Sequence, residues 1–99
     1  MIDNYNASDL YKEIEISNSA YKHGLDKSEI LHAFNSDIYN ETLENFPNKT
    51  LVIGYDSKLR LIEIICDIIS DEHVVIFHAM ECRKIYRERI KKKWAKTKD

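Results

Sequence analysis

Apolar residues change their spacing along this chain, and the changes divide it into elements. Leu10, Ile14 and Tyr21, with Tyr11 beside them, mark one face of a helix predicted over residues 8–23, although Ile16 falls off that face. Gly24 follows Lys22 and His23 where a helix end needs a positive φ, and basic side chains in a last turn meet the helix dipole favourably. A second helix is predicted over residues 26–35. Asp26 caps it, Glu29 completes a capping box, and Leu25 and Ile30 have the spacing of a hydrophobic staple. Its buried stripe is Ile30, Leu31 and Phe34, with Lys27, Ser28 and His32 at the edge or outside.

After Asp37 the period falls from 3.6 to two. Strands are predicted over residues 50–55 (TLVIGY), 58–69 (KLRLIEIICDII) and 72–80 (EHVVIFHAM), with polar turns at Asp56-Ser57 and Ser70-Asp71. A weaker strand over residues 39–46 ends at Pro47-Asn48. Consecutive strands joined by tight turns make an antiparallel meander. In the long strand Ile62, Ile64, Cys66 and Ile68 share one face, and Arg60 begins that row at its wet end. Leu61, Glu63, Ile65 and Asp67 share the other, so the first face is expected to be the drier. A last helix over residues 81–96 repeats Tyr86, Ile90 and Trp94 at spacing four, a narrow seam on an otherwise basic cylinder.

The expected fold is α+β, with two N-terminal helices, an antiparallel sheet of three to four strands and a basic C-terminal helix, in one domain over residues 1–99. Two helices on one face of the sheet would leave the other face open for binding. Composition agrees with a small core-forming domain: 99 residues, 43% apolar, ten aromatics and only two Gly and one Pro. No apolar run reaches the roughly 18 residues of a membrane span, and residues 1–9 carry no signal-peptide pattern, so no membrane association and a cytoplasmic location are expected. Cys66 and Cys82 lack metal or redox spacing and read as reduced structural thiols.

Charge alters the picture more. Residues 1–82 carry six Lys and Arg against fifteen Asp and Glu, a net −9, whereas residues 83–99 carry nine against two, a net +7. A polyanion or an acidic partner is the natural ligand of that C-terminal segment, and a solvated helix face is its bland alternative. Phosphate loops, dinucleotide fingerprints, nucleophile elbows and zinc-protease motifs are absent from the sequence. His73, His78 and Cys82 are the nearest approach to a metal set, but strict alternation puts the two histidines on opposite faces; no metal and no cofactor are expected.

What remains is a set of basic and imidazole groups: Lys22 with His23, His32, Arg60, His78, and Arg83 with Lys84. Metal-free RNA cleavage needs such a set. A base takes the proton of the attacking 2′-hydroxyl, cations hold the growing charge on phosphorus oxygens, and an acid protonates the leaving oxygen. Each residue also has an ordinary reading, as a helix end, a surface histidine, a strand-end histidine or an arginine paired with a nearby carboxylate such as Glu63.

The order of these residues carries a resemblance. Residues 21–34 read YKHGLDKSEILHAF and residues 51–86 read LVIGYDSKLRLIEIICDIISDEHVVIFHAMECRKIY. Together, over about two-thirds of the chain, they resemble the BrnT family of bacterial toxins, with its K-H-G helix end, capped helix, L-V-I-G strand, arginine-bearing strand opening and H-A-M motif before basic residues. The resemblance implies a RelE-like fold and mRNA cleavage that blocks translation. It also implies a cognate antitoxin with a ribbon-helix-helix DNA-binding domain, through which alone the toxin reaches operator DNA. Carried over, the catalytic residues are His23, Arg60 and His78, and the RNA phosphate contacts are Lys22, Arg83, Lys84 and Arg87. Two positions differ: the chain begins MIDNYNASDLYKEIE instead of an aromatic-tryptophan-aspartate stretch, and Met80 stands where a basic residue often follows the motif alanine. A relative that binds RNA or antitoxin without cleaving is the alternative, and an edge-strand interaction protein is a third reading.

Overall fold

The sequence EIEI at residues 13–16 alternates in and out, and in the computed structural model, which describes residues 13–45 and 48–97, it is a strand. This strand, β1 (Glu13–Ile16), exposes Glu13 and Glu15 and turns Ile14 and Ile16 onto the core. It replaces the predicted first helix, of which residues 8–12 lie outside the described residues. A short 3-10 helix (Asn18–Tyr21) follows, and the chain then turns through Lys22 and His23 to Gly24, whose φ is 90° as the sequence predicts. Ile16, which fell off the helical face, was the residue that belonged to period two.

The second predicted helix is present as α1 (Lys27–Asn35), with the Asp26 carboxylate accepting the Glu29 backbone N–H at 3.0 Å. Its capping box is only half formed, because the Glu29 side chain accepts from the backbone N–H and hydroxyl of Ser57 instead. Leu25 and Ile30 are both buried, and Ala33 takes the place in the buried stripe predicted for Leu31. Four strands then form the predicted meander: β2 (Asp37–Thr42), β3 (Lys49–Tyr55), β4 (Leu61–Ser70) and β5 (His73–Glu81). Gly54 lets α1 lie close on β3, since a Cβ there would collide with the Ala33 carbonyl oxygen.

The sheet is five-stranded and mixed, not an antiparallel sheet of three or four strands. Its order is β1-β5-β4-β3-β2, and β1 runs parallel to β5 with Ile14 opposite Val74 and Ile16 opposite Ile76. The C-terminal helix, α2 (Lys84–Thr97), is present, but the two helices lie on opposite faces of the sheet. Ile30, Ala33 and Phe34 of α1 pack with Val52, Ile62, Ile64, Cys66, Val74 and Ile76. Ile90 and Tyr86 of α2 pack with Tyr39, Leu51, Ile53 and Leu61. The fold thus remains α+β, with two helices in all among the described residues rather than two before the sheet and one after it. The physical reason is that β1 earns its burial from a strand sixty residues away, which local spacing does not report.

Candidate active site

One irregularity in β5 builds the site. Ile65 of β4 pairs with His78, and the next residue, Cys66, pairs with Ile76, so Phe77 is an extra residue without a partner in the ladder. The bulge changes the alternation: Val74, Ile76 and Ala79 all face the α1 core, a spacing of two followed by three. His78 consequently leaves the α1 face and meets Glu63, which alternation had put on the other, less dry face. The carbonyl of Phe77 is taken up by the Ser19 hydroxyl at 2.6 Å. That bond ties the 3-10 helix to the bulge and brings the following turn, with His23, beside His78: their rings meet edge to face, centroids 5.5 Å apart.

Glu63 is fully buried, and its position would cost several kcal/mol if it were unpaired. It is not unpaired. One carboxylate oxygen accepts from His78 Nε2 at 2.8 Å and from Arg83 Nη2 at 2.7 Å; the other accepts the Arg83 backbone N–H at 2.9 Å. Burial pushes the Glu63 carboxyl up, but the hydrogen bonds from His78 and Arg83 outweigh it and hold it at about 2. An ionised carboxylate only accepts, so the proton on His78 that faces it sits on Nε2 and Nδ1 is the nitrogen left for other chemistry. The same bonds raise Arg83, whose guanidinium is kept charged and also stacks over the Tyr86 ring at 5.4 Å.

Arg83 stands immediately before α2, and its carbonyl accepts from Tyr86 and Arg87 in the first turn. That turn contains no acidic residue; it carries Lys84 and Arg87 where a helix dipole favours negative charge. A helix start crowded with like charge is electrostatically unfavourable until an anion joins it.

Of the eight residues singled out in the sequence, the fold brings His23, His78 and Arg83 to one place, with Lys84 and Arg87 on the adjoining turn and Lys22 next to His23. Arg60 does not join them through any described bond. It closes the loop between β3 and β4, where its Nε donates to the buried Asp56 at 2.7 Å. His32 is likewise engaged elsewhere, its Nδ1 lying 2.8 Å from the Tyr55 carbonyl. The residue that sequence reasoning missed is Glu63; the clue was a carboxylate flanked by Ile62, Ile64 and Ile65 in a long strand. A second group also escaped it. Glu13, Glu15 and His73 bring three potential ligand atoms within 4.8 Å of one another, with His73 Nε2 at 3.4 Å from Glu15, an arrangement that an exposed ion pair accounts for.

Comparison of the chain with family models, with curated proteins and with solved structures finds no match. No described helix is long and apolar enough to cross a membrane.

Proposed function

We propose that the chain is a metal-independent endoribonuclease of the BrnT type, a cytoplasmic toxin that cleaves mRNA, stops translation and growth, and is neutralised by a cognate antitoxin. The observation that carries this reading is the buried Glu63 joined to both His78 and Arg83, with the His23 ring against His78. In the proposed reaction one imidazole takes the proton of a 2′-hydroxyl, and O2′ attacks the adjacent phosphorus. The P–O5′ bond breaks as the second imidazole, in acid form, protonates O5′, leaving a 2′,3′-cyclic phosphate and a 5′-hydroxyl. Arg83, oriented by Glu63, holds the phosphorus oxygens, with Lys84, Arg87 and Lys22 adding charge around them. The antitoxin, with its ribbon-helix-helix domain, provides the only route to operator DNA.

The purified chain, freed of any partner, should cleave end-labelled single-stranded RNA in excess EDTA to cyclic-phosphate ends, and His78→Ala should abolish this. Uncut RNA both with and without ribosomes, or full cleavage by His78→Ala, would overturn the proposal. A second reading, an RNA-binding relative that does not cleave, is favoured by one observation: Arg83 already gives Nε and Nη2 to Glu63. It predicts steeply salt-sensitive binding to RNA that stays intact.

A further inference from the structure

On α2, Tyr86 and Ile90 face the sheet, and two further residues tie one flank of the helix to β2: Arg89 bonds Glu41 at 3.0 Å and Lys93 lies over the Tyr39 ring. The other flank has a different composition. Arg83, Arg87 and Lys91 follow one another at a spacing of four, so they form one row that starts at the Glu63 site. Each four-residue step advances about 6 Å along the axis, close to the separation of successive phosphates in an extended single strand. Arg87 and Lys91 are 48% and 75% exposed, and their nearest carboxylates, on Glu81 and Glu88, stand at 4.0 Å, the loosest ion pairs described. Trp94, seven residues beyond Arg87 and so on the same stripe, ends the row with its side chain half exposed, at 51%.

We propose that this flank of α2 is a rail for single-stranded RNA: the phosphate at Arg83 is followed by phosphates at Arg87 and Lys91, and a base stacks on Trp94. The cleavage reading enters only in naming the phosphate at Arg83 as the one attacked. Single strands are favoured over duplexes for two reasons. The row is straight and one residue wide, and an indole takes a base only when that base is unstacked from its neighbours. Charge complementarity supplies affinity without base reading, so the rail is indifferent to sequence apart from the stacked position.

Trp94 is the sole tryptophan, so its fluorescence reports its own environment. A six-nucleotide 2′-O-methyl uridine oligomer, which cannot supply the attacking hydroxyl, is the probe. It should quench Trp94, and Trp94→Ala should weaken its binding roughly 5- to 150-fold, the usual contribution of one stacked base. Removing two phosphate contacts with the double variant Arg87→Ala and Lys91→Ala should flatten the log-log salt slope by about 1.4. Lys27→Ala, an exposed charge on α1 across the sheet, should alter neither measurement. Unchanged fluorescence at saturation, a salt slope that the double variant leaves intact, or equal affinity for a blunt RNA duplex with the same number of phosphates would overturn the rail. Cleavage of a dinucleotide RNA by the parent chain is measured alongside, with and without ribosomes, and depends on His23, His78 and the cations around Arg83 but not on Lys91 or Trp94. Rail responses without cleavage in either condition would leave the rail standing and refute the nuclease, and cleavage without rail responses would do the opposite.

Discussion

The two faces of the sheet are built on different principles. Toward α1 the neighbours are Ile62, Ile64, Cys66, Val74 and Ile76, all fully buried, and burial is so complete that the Cys66 thiol is pushed up to about 12. Toward α2 the covering is a seam of Tyr86 and Ile90, and beside it a buried carboxylate and an imidazole occupy what could have been apolar space, with the half-exposed Arg83 guanidinium against them. Replacing a buried ion pair by well-packed apolar groups is often neutral or stabilising, so the second face gives up stability that the first does not. Folding alone would favour a second dry face, and the proposed nuclease reading is what gives that sacrifice a purpose.

The contrast can be broken at either face. The largest effect is expected on activity: His78→Ala should lower RNA cleavage by about 10² to 10⁴-fold while the thermal transition stays cooperative, as judged by circular dichroism. Ile64→Ala should do the reverse, removing about 2–5 kcal/mol of stability in urea unfolding and leaving cleavage per folded molecule intact. Acid should separate the faces next. The Glu63 carboxyl lies at about 2 in the folded chain, below its unfolded value, so its contribution is full above the ordinary carboxylate range and is lost as pH falls toward 2. The urea midpoint should therefore drop less steeply with acid in Glu63→Leu than in the parent chain; parallel curves would show that Glu63 is not the linked group. The smallest change is expected for Arg89→Ala, whose half-exposed pair with Glu41 is worth about 0.2–1 kcal/mol, read as a slight fall in Tm without loss of cleavage.

Much of this was legible in the sequence wherever local rules decide the structure. Asp26 and Gly24 announced their backbone roles correctly, and alternation located β3, β4 and β5 to within three residues at either end. What was hidden depended on partners far along the chain. β1 is four residues long and takes its identity from its parallel register with β5, so a few apolar residues at near-helical intervals outweighed EIEI. Glu63 was read as a member of the less dry face and an ordinary partner for Arg60, because nothing local says that Arg83 returns to it twenty residues later. Arg60 looked like the arginine of the site because it opens the strand, whereas the buried Asp56, four residues earlier, claims it. His78 was recognised as a residue type, but strict alternation set it opposite His73 without showing that it meets Glu63, since a bulge has no reliable sequence mark.

The unpaired Phe77 also bears on how this chain tolerates genetic change. Loss of that single codon would restore regular alternation in β5, and the strand could still hydrogen-bond along its length. Ile76, His78 and Ala79 would then alternate strictly, so the imidazole would keep the Glu63 side and Ala79 the aliphatic layer, and what would be lost is the Phe77 carbonyl that accepts from Ser19. An in-frame deletion of three nucleotides would thus leave the imidazole beside its carboxylate and act on the contact that seats the turn carrying His23.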